Sequence, residues 1–157
     1  MLLLNKDDML RHQLGLKSKP AEALVKKGSR FVIPMPAAGE ALIKIREKHR
    51  DSFKEIMAEF DRLLDNEFFT ISYVKDATTY EWARRLCSEK KDSRDWISPM
   101  DALITASAIV DEKCATLYTT DTTLLMDLDV LDDVNEWRLQ RNIPKLKIRS
   151  VYDVIKQ

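Results

Sequence analysis

Short apolar segments of strand character alternate with longer segments of helical period along this chain, and that alternation narrows the folds open to it more than any other feature. Residues 1–4 read as a short buried strand, followed by a polar turn at 5–8 and a helical stretch that ends near Gly15. Residues 20–27 form a short helix stopped by Gly28, a usual residue just past a helix end, and Phe31, Val32 and Ile33 make a second strand closed by Pro34. From Ala37 the spacing of Leu42, Ile43 and Ile45, and then of Phe53, Ile56, Met57, Phe60, Leu63 and Leu64, predicts two helices or one bent one, a helical arm over roughly 41–66. Residues 68–74 are ambiguous between strand and irregular chain, 78–89 are helical, and the charged run 90–95 is a solvated connection. Residues 98–113 make a long helix, followed by a strand at 115–119, a short helix at 122–126 and a late strand at 145–149. Strands separated by helices call for a parallel sheet. The expectation is an α/β fold of three layers, α/β/α, with a central parallel sheet and the helical arm, in a single domain spanning 1–157.

Composition removes several classes of protein. A chain of 157 residues that is 45% hydrophobic, with three glycines and five prolines, is long enough for one sizeable core and is neither disordered nor of low complexity. Lys+Arg and Asp+Glu both number 26, so no global basic field advertises a nucleic-acid partner, and any such partner must be held by a local patch. Cys87 and Cys114, expected in different helices and without metal-ligand spacing, read as reduced thiols of a cytoplasmic protein. No apolar run approaches the roughly 20 residues of a membrane span, and residues 1–4 are too short and lack the basic leader of a signal peptide. A soluble, cytoplasmic protein without a membrane partner is expected.

Asp7, Glu40, Asp101 and Asp121 each sit beside an apolar segment rather than in a charged run. Each has a local structural explanation. Ser98-Pro99-Met100-Asp101 opens a helix with a capping serine, a proline at the first position and an acid that offsets the helix dipole. Asp121 could cap a helix beginning at Thr122, and Glu40 falls in a first helical turn after Pro36-Ala37-Ala38-Gly39. Together they suggest more. In α/β proteins the carboxyl ends of parallel strands and the first turns of the following helices share one edge of the sheet, where ligands bind. Carboxylates gathered there repel unless a cation joins them, which implies a hard divalent metal held by oxygen ligands.

The order of these residues resembles the PIN-domain nuclease pattern. In that family a helix opening Asp-Ala-x-Ile-x-Ala-x-Ala is followed by a strand ending Thr-x-Asp; here Asp101-Ala102-Leu103-Ile104-Thr105-Ala106-Ser107-Ala108 matches the helix and Thr119-Thr120-Asp121 the strand end. Glu40, after the strand at 31–33, matches the family's glutamate in order and setting. The departure is at the start, where PIN domains carry apolar-apolar-Asp-Thr-Asn-apolar-Leu and this chain has Leu3-Leu4-Asn5-Lys6-Asp7-Asp8-Met9-Leu10. The register that also matches the following Leu-Arg-x-x-Leu-Gly places Asn5 where the first aspartate belongs and Asp7 at the family's Asn position. Either the natural protein is degenerate there, or Asp7 has taken over, or the residue was changed to tame a toxic nuclease.

The resemblance implies a metal-dependent single-strand endoribonuclease, the toxin of a toxin-antitoxin pair. It implies Mg2+ or Mn2+ held by Asp101, Asp121, Glu40 and the Asn5/Asp7 pair, with Thr119 hydrogen-bonding a carboxylate or the attacking water. Single-stranded RNA, an antitoxin protein and a second copy in a homodimer are the partners it implies. Arg46, Lys48 and Arg50 on the helical arm are candidate phosphate contacts, with an ordinary solvated face as the alternative. The rival function is a PIN-like domain catalytically weakened at Asn5 and used as an RNA- or protein-binding module. A phosphatase or phosphotransfer protein fits less well, because Asp7 and Asp8 lie beyond the end of the first strand. His12 and His49 lack the spacing for zinc or general-base work, and Trp82, Trp96 and Trp137 read as core or interface residues rather than base-stacking platforms.

Overall fold

Two pairs of parallel strands, each with its own helices, organise the chain. The structure, a computed structural model, describes residues 30–65, 69–72, 77–88, 97–119 and 130–150, which fall into two compact units, 30–72 and 77–150. The parallel pairing agrees with the sequence. Among the described residues the four strands form two two-stranded sheets rather than one continuous sheet. The expected strand at 1–4 and helices at 20–27 and 122–126, like the connection at 90–95, lie outside the described residues.

The first unit runs β1 (Phe31–Pro34), α1 (Met35–Lys48), a 3-10 turn (Arg50–Ser52), α2 (Phe53–Leu64) and β2 (Phe69–Ser72). Pro34 has φ −60 and ψ 139, an extended setting that proline favours, so it ends β1 and sets the entry to α1 directly. The helix therefore starts at Met35, ahead of the expected Ala37. The arm is two helices joined by the 3-10 turn, and the ambiguous 68–74 segment contains β2. β1 and β2 pair in parallel with Phe31 opposite Phe69, and the two rings stack at 5.1 Å between centroids. Of the apolar residues whose spacing predicts α1, Leu42 and Ile43 are 37% and 56% exposed. The buried face of α1 is Ala38, Ala41 and Ile45, spaced at three and four, because small side chains let the helix lie close to its neighbours.

The second unit contains α3 (Ala77–Ser88), α4 (Pro99–Val110), β3 (Thr116–Thr119), α5 (Leu131–Leu139) and β4 (Lys147–Ser150). α3 buries Thr79, Trp82, Ala83 and Leu86, and α4 buries Ala102, Thr105, Ala106 and Ile109, each set at the i, i+3, i+4, i+7 spacing of one helix face. Ala102 and Ala106 have no exposed surface, so the two helices pack closely. Ile97, Val130, Val134 and Leu146 complete that core. Trp82 lies inside it and meets half-buried Trp137 edge to face at 5.8 Å, a contact worth about 1 kcal/mol beyond burial. Arg85 lies over the Trp82 ring at 5.1 Å and pairs with Asp133 of α5. Cys114, expected in a helix, lies instead in the turn between α4 and β3, where Cys114 N–H donates to Asp111 O at 3.1 Å. The helix breaks at Val110, short of the expected residue 113. Cys87 and Cys114 are both free thiols.

The α5 helix has no counterpart in the sequence reading, and it carries the residue that ties this unit together. Arg138 has no exposed surface. Its Nε donates to Pro144 O at 2.6 Å, Nη1 donates to Ala108 O at 3.0 Å, Ile109 O at 2.6 Å and Asp111 O at 3.3 Å, and Nη2 donates to Cys114 O at 2.5 Å. The last carbonyls of a helix have no partners within it, and Arg138 supplies donors and a positive charge at the negative end of α4. α5 itself ends in a Schellman arrangement: Asn142 has φ 58, its N–H donates to Leu139 O at 3.0 Å, and Ile143 N–H donates to Arg138 O at 2.9 Å. Asn135 then holds Leu146 as a strand neighbour would, Oδ1 accepting from Leu146 N–H at 2.7 Å and Nδ2 donating to Leu146 O at 3.4 Å. The chain enters β4, which pairs in parallel with β3, Thr116 opposite Lys147 and Thr119 opposite Ser150.

Arg138→Lys keeps the charge but loses the planar fork that reaches several carbonyls. Both Arg138→Lys and Arg138→Met should lower unfolding stability by about 3 kcal/mol or more, since buried carbonyls lose donors. Urea unfolding followed by tryptophan fluorescence measures this, and a loss below about 1 kcal/mol would show that the carbonyls find other partners.

Candidate functional site

Asp101 is held by the helix it opens. Ser98, extended at φ −60 and ψ 149, caps α4: its Oγ accepts from Asp101 N–H at 3.1 Å and donates to Asp101 Oδ2 at 2.6 Å. Pro99 occupies the first helical position, where its missing N–H costs nothing. This reciprocal box fixes the half-buried carboxylate at the positive end of α4, and Oδ1 has no hydrogen bond among the described residues. The capping role read from the sequence is therefore real.

Thr119 is the last residue of β3, half-buried and opposite Ser150. The turn at 111–115 reverses the chain between α4 and β3, and Leu117 packs on the core that α4 builds. Asp101 stands in the first turn of α4 and Thr119 at the carboxyl end of β3. Asp121, two residues beyond Thr119, lies outside the described residues, as do Asn5, Asp7, His12 and Trp96.

Glu40 belongs to the first unit. It is half-buried on α1, which follows β1 without a break, and its Oε1 forms an ion pair with Lys44 one turn on. Such i, i+4 pairs contribute about 0.3–0.5 kcal/mol, too little to bar a stronger ligand. Arg46, Lys48 and Arg50 are exposed, and Arg46 and Lys48 lie in the last turn of α1, where cations complement the helix dipole. His49 ends that helix, its N–H donating to Ile45 O at 2.9 Å.

Asp101 and Glu40 are hard oxygen donors of the kind Mg2+ and Mn2+ take. Among the described residues no group of three or more His, Cys, Asp or Glu side chains is gathered closely enough to hold a metal ion. No helix of the described residues is long and apolar enough to cross a membrane. No family model, curated protein or solved structure matches this chain.

Sequence reasoning missed α5 and Arg138, although the signal was present. Val130, Val134 and Arg138 recur every four residues, so a cation occupies a core position of an apolar stripe.

The turn beside Arg138 also holds a titratable thiol. Cys114 Sγ donates to Thr116 O at 3.7 Å, and its pKa is raised, first by burial and then by nearby Asp111, against the opposing pull of Arg138 and the Thr116 bond. A raised thiol pKa means the unfolded chain ionises first, so this stabilisation is present below the ordinary thiol pKa of about 8.5 and is lost as pH rises above it. Unfolding stability should decline above that pH, and Cys114→Ala should flatten the decline; an unchanged slope would assign the decline to other groups.

Ser98→Ala removes both arms of the box. It should cost about 1 kcal/mol of stability in chemical denaturation. Ser98→Asp should recover less than Ser98→Thr does, because a second acid beside Asp101 repels it; equal recovery would show that Asp101 is not held by the hydroxyl.

Proposed function

We propose that this protein is a metal-dependent single-strand endoribonuclease with a PIN-like fold of three layers, α/β/α, acting as the toxin of a toxin-antitoxin pair. The observation that carries the reading is the setting of Asp101 and Thr119: an acid fixed in the first turn of α4 by Ser98, and a strand whose last residue, Thr119, comes two positions before Asp121 in the sequence. Parallel strand pairing in both units supports the α/β frame.

In this reading Asp101, Asp121 and Glu40, with Asn5 or Asp7, hold Mg2+ or Mn2+. The bound ion supplies acidification of a water and charge neutralisation on the phosphodiester. Ser98 keeps the Asp101 carboxylate in one orientation, so little reorganisation is needed when charge builds up on the substrate. Glu40 exchanges Lys44 for the site. Thr119 hydrogen-bonds a neighbouring carboxylate or the water. Arg46, Lys48 and Arg50 contact phosphates of single-stranded RNA, and a homodimer and an antitoxin partner belong to the same proposal.

The second reading is a catalytically weakened PIN-like module that binds RNA or protein, and Asn5 favours it, because an amide in place of a carboxylate removes one negative charge from the ligand set. Two measurements separate the readings. Millimolar Mn2+ should raise the thermal midpoint, and Asp101→Asn should remove most of that rise. Asn5→Asp should increase Mn2+-dependent cleavage of single-stranded RNA by about tenfold or more, a change that needs only about 1.4 kcal/mol of transition-state stabilisation. Adding Asp121→Asn should abolish the gain. If Asn5→Asp changes nothing while Asp7→Asn abolishes cleavage, Asp7 is the ligand; if no variant cleaves RNA with metal present, the binding module is the function.

A further inference from the structure

The chain is neutral as a whole, but from Arg138 to Ser150 it carries five cations, Arg138, Arg141, Lys145, Lys147 and Arg149, and no acid. Arg138 is buried among carbonyls, and the other four are exposed. Leu146 enters β4 buried in the core, so strand alternation turns Lys147 and Arg149 to the opposite face, and Lys145, two residues ahead of Lys147, is exposed as well. Parallel register puts Lys147 beside Thr116 and Arg149 beside Tyr118, on the face turned away from Leu117 and the core. Arg141 is engaged elsewhere, its guanidinium over the Trp137 ring at 4.3 Å.

A face of a parallel sheet is normally covered by apolar contacts. This one presents Lys147 and Arg149 about 6.6 Å apart, with exposed Lys145 ahead of them in the chain and half-buried Tyr118 beside Arg149. Like charges in a row repel one another, and none of the three has an ion-pair partner among the described residues. A polyanion removes the repulsion. We propose that the Lys147–Arg149 face of β4, with Lys145 just ahead of the strand and Tyr118 of β3, is a tracking surface for the backbone of single-stranded RNA. The spacing suits successive phosphates of an extended strand, and Tyr118 offers a ring on which an unpaired base can stack, a contact an acidic peptide cannot use. β3 and β4 are parallel and in register, so the stripe leads to their carboxyl ends, where Thr119 precedes Asp121.

In taking RNA as its ligand the proposal rests on the nuclease reading, but binding needs no metal, so the two fail separately. The probe is a fluorescently labelled oligouridine, titrated in EDTA at several salt concentrations and followed by anisotropy. Changing Lys145, Lys147 and Arg149 together to Gln should weaken binding about tenfold or more and reduce the slope of log K against log salt by about 2, at about 0.7 for each lost phosphate contact. The three side chains are exposed, so the urea midpoint should hold; Lys147→Gln alone should show about a third of the slope change. Tyr118→Leu should weaken binding about tenfold with the salt slope unchanged, as loss of stacking predicts. Wild-type affinity in the triple variant overturns the proposal, as does a loss seen only when Arg46, Lys48 and Arg50 are changed to Gln. Equal competition by polyglutamate also overturns it and makes the face a site for an acidic protein. Loss of cleavage in Asp101→Asn with oligouridine binding intact would leave this surface standing whatever the fate of the catalytic site.

Discussion

A single arginine without solvent access holds the second unit in register. Arg138 donates to carbonyls of Ala108, Ile109, Asp111, Cys114 and Pro144, and so joins the end of α4, the turn into β3 and the approach to β4. Burial lowers its pKa from the ordinary value, while Cys114 and Asp111 push it back up. An arginine stays charged under such pressure, and a planar fork spreads that charge over several carbonyl dipoles where a point charge could not. The desolvation penalty is met by groups that would otherwise lack partners, the unpaired carbonyls of a helix end. Three chain segments are fixed through one side chain, so the positions at which β3 and β4 start are not independent of each other.

That dependence reaches the far end of the strands. Ala115 O accepts from Lys147 N–H at 3.0 Å at the beginning of the β3–β4 ladder, immediately after the segments that Arg138 gathers. Register set there is carried to Tyr118 opposite Arg149 and Thr119 opposite Ser150. A slip of one residue would turn Leu146 to the basic face and Lys147 to the core, which the period-two alternation of a strand makes prohibitive. Arg138 therefore acts where β3 and β4 begin, and the candidate functional residue Thr119 stands where β3 ends.

The parts legible in the sequence are those with a regular period or a local rule. The helices of the first unit followed from apolar spacing, the start of α4 from Ser98-Pro99 and its acid, and β3 from its run of strand formers. The misreadings have particular causes. Large Leu42 and Ile43 signal the helix by their spacing, whereas small Ala38 and Ala41 are the residues it buries. α4 ends at Val110 because Asp111 enters a turn that Arg138 and Cys114 complete, a tertiary contact no local window contains. α5 escaped because its core stripe includes a cation, and a charged residue at a core position is read as solvent-facing until its partners are known. The metal site depends on Asn5, Asp7 and Asp121 beyond the described residues, so its legibility rests on order and setting alone.

Asp101 shows why helix capping and catalysis draw on the same chemistry. The Ser98 hydroxyl accepts from Asp101 N–H and donates to Asp101 Oδ2, so the carboxylate stands in one orientation at the positive end of the α4 dipole. Gathering several acids at one sheet edge raises their mutual repulsion, and every acid placed at a helix start lowers that cost before any cation arrives. Under the nuclease proposal a cation at Asp101 would have to share its carboxylate with the Ser98 hydroxyl. Under that proposal Asn5, standing where the first aspartate would, relieves repulsion in the metal-free site and removes charge from the metal-bound one. The stability and the activity of such a site would then respond to that one position in opposite directions.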